Sequence, residues 1–333
     1  MKPPARAGSS REDGMTLFGK LRTAAAAGLA LSALGAMPAS AQDEDIKIGM
    51  VNLSLCCAYF VGMDAAVKDE ASHFSNVNVL STDAKGDVAK LTSDVEDMLN
   101  QNVDVFIISG AWIEAAPAAL ESINQAGTPI VMVDRLLKGG DFTAWVGPDN
   151  RAIGEGIGDY IVKRLDGKGK VAVIRGGPAD NTIGSNRSEG VQSKFEGTEV
   201  QVVVAPGWGE WSADGGFTQM EDLLSKNDDL NAVFCENDSM CLGAQKAIAD
   251  AGKAEQIFIT SVDGEMGTLK EIMREGSNYG ATGRNSSDQI GRAGFNRAMA
   301  IVAGGSPEKE TALPSPIITK ENAVKFYDES SKF

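Results

Sequence analysis

The amino-acid sequence predicts an α/β protein with two doubly wound lobes, each built around a parallel β-sheet. From Ile46 onward, short apolar runs rich in β-branched residues alternate with amphipathic segments of helical period, which is typical of repeated βαβ units. A polar passage at Gly147-Pro148-Asp149-Asn150 separates four or five such units from a second set of similar size. The pattern extends over roughly 290 residues, more than one ordinary core, which also favours two domains.

Nine segments are predicted to be strands because they are short, apolar and rich in β-branched residues. In chain order they are residues 46–52, 77–80, 103–108, 129–133, 170–174, 200–204, 232–234, 257–262 and 279–282. Helices are predicted between them. Val88, Leu91 and Val95 share one face of the second helix. A later helix is predicted to begin at Ser286, whose hydroxyl can cap it while Gln289 closes a capping box.

The N-terminal segment has the layout of an export signal. A basic stretch precedes an apolar, alanine-rich run at residues 23–37, and the small residues Ala39-Ser40-Ala41 follow. This order predicts a signal peptide at residues 1–41, with Met15 as an alternative start because the leader before it is polar. An uncleaved membrane anchor is the competing interpretation, but the run is short for a span. We therefore expect a periplasmic protein.

The charge of the chain disfavours two classes of partner. The formal net charge is −15, and residues 1–41 carry five basic and two acidic side chains, so cleavage changes it to −18. An acidic surface repels nucleic-acid phosphates and anionic lipid headgroups. We therefore expect no nucleic-acid partner and no membrane-surface partner.

The four cysteines are Cys56, Cys57, Cys235 and Cys241, and an oxidising periplasm permits them to pair. Adjacent cysteines rarely bridge without strain. Cys235 and Cys241 lie across a predicted strand-to-helix turn, so either a disulfide or two small buried apolar side chains fits the pattern. With His73 as the only histidine, the spacing does not match a metal site, and we expect no metal and no cofactor.

Polar side chains follow three of the predicted strands. Asp134 and Arg135 follow residues 129–133, Asn237 follows residues 232–234, and Asp263 follows residues 257–262. In open parallel sheets, ligands bind beyond the carboxyl ends of the strands. Any one of these residues alone is typical of a helix cap. Together they predict a polar ligand site, in which carboxylates accept hydrogen bonds from neighbouring hydroxyls and arginine donates beside them.

Motifs of the common enzyme classes are missing from the sequence. There is no G-x-G-x-x-G after the first strand, no Walker loop, no H-E-x-x-H, and no G-x-S-x-G in a strand–turn–helix setting. We therefore predict that the chain is not an enzyme. A glycosidase that uses Asp134 and Asp263 as its paired carboxylates is the enzyme alternative, because their spacing in the sequence does not exclude it.

Residues 45–326 resemble the ribose- and galactose-type periplasmic sugar-binding proteins, the type I solute-binding family of ABC importers. The resemblance rests on six stretches in this order: Ile130-Val-Met-Val-Asp-Arg135, Asn186-Arg-Ser-Glu-Gly190, Val233-Phe-Cys-Glu-Asn-Asp-Ser-Met240, Leu242-Gly-Ala244, Val262-Asp-Gly264 and Asp288-Gln-Ile-Gly291. It implies a periplasmic protein that captures a monosaccharide or sugar-like polyol between its lobes and delivers it to the importer's membrane subunits. A chemoreceptor or signalling-ligand binder of the same fold is the alternative.

The resemblance also implies lobe boundaries. Residues 42–148 plus 286–317 form one lobe and residues 149–285 plus 318–333 the other. Three hinge crossings follow, near Asp149, Asn285 and Ile318, and the family is expected to act as a monomer.

Nine side chains match the ligand-binding positions of that family. Asp134 and Arg135 correspond to the pair that binds hydroxyls from the first lobe, and Asn285 to an amide at a hinge strand. The aromatic residues correspond to side chains that flank the sugar ring, although ordinary packing is the preferred interpretation for Phe60. Trp211 is expected to have few core neighbours. The full set is Tyr59, Phe60, Asp134, Arg135, Arg187, Trp211, Asn237, Asp263 and Asn285.

The chain departs from the family near its first helix. Where the family often has asparagine–asparagine–proline, this sequence has Cys56-Cys57-Ala58, and Leu53 replaces a small polar residue. The pocket is therefore expected to be less polar on that side. Arg284 stands where the family is often apolar, which suggests an additional donor suited to a polyol, a deoxy sugar or an acidic sugar.

Overall fold

The fold is described by a computed structural model for residues 45–178 and 181–333. The predicted signal peptide, with Met15 and Ala41, lies outside the described residues. The strands are β1 (Ile46–Asn52), β2 (Val77–Asp83), β3 (Val105–Ser109), β4 (Ile130–Val133), β5 (Ala144–Pro148), β6 (Lys168–Ile174), β7 (Glu199–Val204), β8 (Ala232–Cys235), β9 (Phe258–Asp263), β10 (Tyr279–Arg284), β11 (Glu310–Leu313) and β12 (Ile317–Thr319).

These strands form two six-stranded sheets flanked by helices. The orders are β11-β5-β4-β3-β1-β2 and β12-β10-β9-β8-β6-β7. The helices are α1 (Ala58–Ala71), α2 (Val88–Asn100), α3 (Gly110–Ala115), α4 (Pro117–Ala126), α5 (Asn150–Leu165), α6 (Asn181–Ser193), α7 (Ala213–Lys226), α8 (Asp238–Asp250), α9 (Met266–Met273) and α10 (Ser287–Val302), followed by a 3-10 turn at Ala323–Lys325. The predicted fold class, two doubly wound parallel-sheet lobes, is confirmed.

All nine predicted strands are present, and three further strands were missed. β5, β11 and β12 are three to five residues long, and β11 (Glu-Thr-Ala-Leu) begins with two polar residues and has no buried position. Such short segments lack the long apolar run that identifies a buried strand, and β11 and β12 also lie at sheet edges. β12 also pairs antiparallel with β10, so the second sheet is not entirely parallel.

The central strands of each sheet, β3, β4, β8 and β9, are buried on both faces, which explains their continuous apolar runs. All five residues of β3 are buried. α10 follows the second lobe's strands in sequence but packs on the first sheet, where Ile290 and Phe295 share a cluster with Ile48 and Val131. The chain therefore crosses between the sheets after β5, after β10 and again between β11 and β12.

The predicted helix starts are also observed. Asp87 caps α2 by accepting hydrogen bonds from the amides of Ala89 and Lys90, and Leu91 and Val95 are buried on its inner face. Ser286 caps α10 by accepting a hydrogen bond from the Gln289 amide. Capping of this kind satisfies backbone donors that have no partner within the helix.

Cys235 and Cys241 form a disulfide, which decides between the two interpretations left open by the sequence. It joins the end of β8 to the second turn of α8 across a Cα–Cα distance of 5.5 Å, and both residues are fully buried. Cys56 and Cys57 are unbridged and exposed. Among the helices of residues 45–178 and 181–333, none is both long and apolar enough to cross a bilayer.

Candidate functional site

The predicted site residues lie where strands end and the next element begins. Asp134 directly follows β4, Asp263 is the last residue of β9, and Asn285 follows β10. Tyr59 lies in the first turn of α1, after β1. Because parallel strands present their carboxyl ends at one edge, these side chains converge although they are far apart in sequence.

A continuous series of polar contacts joins five of the nine predicted residues. The Tyr59 hydroxyl lies 2.8 Å from Asp134 Oδ1 and 3.2 Å from Asn285 Oδ1. Asn285 Nδ2 donates to Asp263 Oδ1 over 3.0 Å, and the Arg187 guanidinium lies 3.1 Å from the same oxygen. The groups from the first sheet, the second sheet and the connection between them therefore form one site.

Both site aspartates have unusual backbone conformations. The φ angle is +60° at Asp134 and +139° at Asp263. Asp tolerates the left-handed region better than most residues, but φ near +139° is normally restricted to glycine. Two neighbours fix the Asp134 backbone. The Trp145 indole Nε1 donates to the Asp134 carbonyl, and Gly147 allows that carbonyl to lie 2.5 Å from where a Cβ would be. Strain of this kind is typical of functional sites.

Arg187 is anchored on several sides by the second lobe. Its Nε donates to Asn150 Oδ1 over 2.8 Å, and its Nη1 donates to the Glu236 carbonyl over 2.5 Å. The Glu236 carboxylate in turn accepts from the Ser188 hydroxyl and the Gly176 amide. Only 2% of Arg187 is exposed, so this network sets the position of the guanidinium beside Asp263.

Asn237, predicted to bind the ligand, lies outside this contact series and contacts its own lobe. Its Oδ1 accepts from the Met240 amide and caps α8, and its Nδ2 donates to the Trp211 carbonyl over 3.2 Å. Asp238, fully buried, accepts from the amides of Gly264 and Glu265 at 2.7 and 2.8 Å. The start of α8 therefore fixes the loop that follows Asp263.

An aromatic group lies on the first-lobe side of the site. Tyr59 packs edge-on against Phe60 and Phe333, with ring centroids 5.3 Å apart in both pairs, and Phe60 packs against Trp112 at 4.5 Å. Sequence reasoning missed Trp112 and Phe333. Trp112 lies in α3, which directly follows β3, and could have been found by its place beyond a strand end. Nothing in the sequence around Phe333 indicates its contact with Tyr59.

Trp112 carries a further indication of a ligand site. Its indole Nε1 is buried and has no hydrogen-bond partner within the described part of the chain. Buried indole N–H groups normally have an acceptor, because an unsatisfied donor costs free energy. The group is therefore suited to donate a hydrogen bond to a ligand oxygen.

Three further cationic or aromatic residues of the sequence analysis contact protein groups in the structure. Arg135 is buried and forms an ion pair of 2.5 Å with Glu114. Trp211 packs against the hydrophobic cluster of the second lobe and over Gly176, so the prediction of few core neighbours was wrong. The Arg284 guanidinium lies over the Phe326 ring at 5.1 Å.

Burial changes the proton affinity of the site. It raises the pKa of Asp263 from 3.8 to about 7, although Arg187 lowers it, and Asp238 raises it further. Burial also raises the pKa of Glu265 from 4.5 to about 8, with an additional contribution from Asp238. The pKa of Tyr59 is raised well above its ordinary value by burial and then by Asp134, so its hydroxyl stays protonated and can donate.

These shifts predict an unusual pH dependence of stability. The folded-state pKa values of Asp263 and Glu265 exceed their unfolded values, so the folded protein binds more protons between about pH 4 and about pH 8. Their stabilising contribution is complete below the unfolded pKa values and is lost as pH rises through the folded ones. We expect the free energy of unfolding to fall by at least about 2 kcal/mol from pH 5 to pH 8.

Urea denaturation of the ligand-free protein at several pH values measures this change. It requires a background with Cys56 and Cys57 replaced by serine, because the pKa of Cys56 is lowered to about 6 and its thiol titrates in the same range. Adding Asp263→Asn and Glu265→Gln should flatten the profile. A free energy of unfolding that rises over this interval in the serine background contradicts the prediction.

Comparisons with known proteins agree with this architecture. The family model described as a periplasmic binding protein domain matches residues 48–306. The ribose import binding protein of Bacillus subtilis is 30% identical over 85% of this chain and 90% of its own length. An ABC transporter solute-binding protein of Mycobacterium smegmatis with bound glycerol has a TM-score of 0.78 and 28% identity, covering 86% of this chain and 98% of its own. A Bacillus halodurans solute-binding protein with bound myo-inositol has a TM-score of 0.77 and 25% identity, covering 88% and 100%.

Proposed function

Since this chain belongs to the periplasmic binding protein family, we propose that it captures a neutral monosaccharide or polyol between its two lobes and delivers it to the membrane subunits of an ABC importer. Members of this family are solute-binding proteins and not enzymes, and the family is periplasmic. A cleavable signal peptide at residues 1–41, a monomeric state and the lack of nucleic-acid partners are parts of the same proposal.

The observation that carries this proposal is the contact series from Asp134 through Tyr59, Asn285 and Asp263 to Arg187. It brings acidic acceptors and a planar, doubly donating cation together in a largely buried place. Neighbouring hydroxyl groups both donate and accept, so they match such a set with charge-assisted hydrogen bonds. Tyr59, Phe60 and Trp112 add aromatic surface, which packs on the C–H groups of a sugar or polyol.

A neutral ligand fits the charges better than an acidic one. Arg187 is paired with Asp263 and Arg135 with Glu114, while Arg284 stacks on Phe326. Each of these cations already interacts with a protein group. A carboxylate ligand would have to compete with that group for the cation. The named ligands of the relatives, ribose, glycerol and myo-inositol, are neutral compounds with adjacent hydroxyls.

The proposed mechanism is hinge closure. The two lobes are residues 42–148 plus 286–317 and residues 149–285 plus 318–333. The crossings near Asp149, Asn285 and Ile318 absorb the rotation between them. A ligand held by Asp134 recruits donors and acceptors of the second lobe, which stabilises the closed state and removes the ligand from water. The importer then recognises the closed lobes.

Thermal denaturation with a ligand panel tests the proposal. A ligand that binds only the folded state stabilises it by about 2.7 kcal/mol at 100 times its Kd. We expect at least one of D-ribose, D-allose, xylitol, glycerol and myo-inositol to raise the Tm of the mature protein by roughly 5 °C or more. Leucine and sodium sulfate serve as controls. No shift across a broad set of sugars and polyols would refute the assignment.

A further inference from the structure

Cys56 and Cys57 form a pair of exposed thiols at the edge of the site. They lie between β1 and α1, with their Sγ atoms hydrogen bonded at 3.6 Å. The carboxyl end of β1 belongs to the same sheet edge as Asp134, which follows β4. Neither thiol takes part in the contact series of the candidate site. Ligand binding alone therefore does not explain why this chain has two cysteines where the family often has two asparagines.

The pair is mechanically connected to the aromatic side of the site. Cys57 is the N-cap of α1 in an extended conformation, and its side chain makes no capping hydrogen bond. Tyr59 and Phe60 lie in the first turn of the same helix. Any change in the bonding of Cys57 therefore acts on the turn that positions the Tyr59 hydroxyl beside Asp134.

The two thiols are chemically unequal. When one loses its proton, the other donates a hydrogen bond to the thiolate, and this contact lowers the pKa of Cys56 to about 6. The same contact and burial raise the pKa of Cys57. The nearby Asp83 carboxylate opposes ionisation of Cys56 but does not outweigh the hydrogen bond. An exposed thiol that ionises near neutral pH is a nucleophile for disulfide exchange.

The other two cysteines differ in every relevant respect. Cys235 and Cys241 are bridged and have no exposed surface, as expected of a structural disulfide formed in an oxidising compartment. A bridge between adjacent residues is strained, and strained or exposed disulfides are the ones that exchange readily. The chain therefore combines one buried disulfide with one exposed pair of thiols.

We propose that Cys56 and Cys57 are a redox-active pair that cycles between a dithiol and a vicinal disulfide and thereby adjusts ligand affinity. The Cys56 thiolate attacks a small-molecule or protein disulfide and releases one thiol. Cys57 then loses its proton and attacks the Cys56 sulfur, which releases the second thiol and closes the Sγ–Sγ bond. Overall, the pair gives up two electrons and two protons, and the external disulfide is reduced to two thiols.

Closure of this bond acts on the ligand site. The sulfur atoms must approach from 3.6 Å to about 2.05 Å, which rigidifies the segment leading into α1. A more rigid segment loses less conformational entropy when a ligand binds. We therefore expect the disulfide form to bind its ligand at least about threefold more tightly than the dithiol form. This part rests on the proposed function.

The first experiment counts thiols in the native full-length mature protein. After incubation with oxidised glutathione, the wild type should resist alkylation by iodoacetamide, and the peptide with Cys56 and Cys57 should weigh two hydrogens less. Mild dithiothreitol should restore two alkylation sites while the buried disulfide stays intact. Cys57→Ser should instead retain glutathione on Cys56. Two free thiols after oxidation, or stable glutathione adducts on the wild type, would overturn the redox pair.

The second experiment measures affinity in both states by calorimetry with D-ribose, glycerol and myo-inositol. The variant with both cysteines replaced by serine is the control, and its Kd should not respond to oxidised glutathione. Equal Kd values for the oxidised and reduced wild type would overturn the effect on the site. Binding of no probe in either state would refute the proposed function and the affinity effect together, while thiol counting still decides the redox chemistry.

Discussion

Arg187→Met is expected to raise the Kd for the bound sugar or polyol at least about 30-fold. Methionine retains most of the side-chain volume but removes the ion pair with Asp263 and the hydrogen bonds to Asn150 and to the Glu236 carbonyl. Truncating one partner of a buried, hydrogen-bonded charge pair costs about 2–5 kcal/mol of binding free energy, and 2 kcal/mol corresponds to this factor. Calorimetry with the ligand that gives the largest thermal shift measures it.

Arg274→Met is the matched control. Arg274 lies in the same lobe, is exposed, and pairs with Glu271 at the end of α9. Exposed pairs of this kind contribute little, so its Kd and Tm should remain close to those of the wild type. If Arg187→Met folds and binds with an unchanged Kd, Arg187 is not part of the ligand site, even though the fold assignment stands.

Much of this site could be predicted because one physical rule placed it. Ligands of open parallel sheets bind beyond the strand ends, so the residues after β4 and β9 were candidates before their contacts were known. The structure brings Asp134 and Asp263 into one contact series with Tyr59, Asn285 and Arg187. The separations of these residues along the chain do not indicate that they meet. Tyr59, Asn285 and Arg187 were predicted from the family resemblance.

The remaining features depend on tertiary contacts that a single sequence does not encode locally. The Glu236 backbone carbonyl accepts from Arg187, and the Glu236 carboxylate accepts from Ser188 in α6. Both contacts depend on how α6 packs against the residues after β8. Phe333 contacts Tyr59 because the last residues, predicted to belong to the second lobe, also lie against the first, where the Ser331 hydroxyl donates to Asp288. β5 and β11 are strands because each has a neighbouring strand to pair with, not because their composition requires it.

Asp134→Ala is expected to abolish detectable binding. It removes the carboxylate that accepts from the Tyr59 hydroxyl and, by our proposal, from ligand hydroxyls. Hydrogen bonds to charged groups contribute about 1.5–3 kcal/mol each, and a ligand with two such bonds would lose a factor of at least about 100 in Kd. Alanine also tolerates the φ of +60° at this position poorly, at a cost of about 1 kcal/mol in stability.

Asp134→Asn separates these two contributions. Asparagine accepts the left-handed conformation and can still accept a hydrogen bond from Tyr59, so its Tm should stay near that of the wild type. Loss of the charge alone should raise the Kd by about 5- to 30-fold, as measured by calorimetry with the same ligand. Asp141→Asn, in an exposed loop of the same lobe, should change neither quantity. If Asp134→Asn and Asp134→Ala lose affinity equally, the carboxylate charge alone accounts for the contribution of Asp134 to binding. If Asp134→Asn binds as the wild type does, the carboxylate charge contributes nothing to binding and the prediction is wrong.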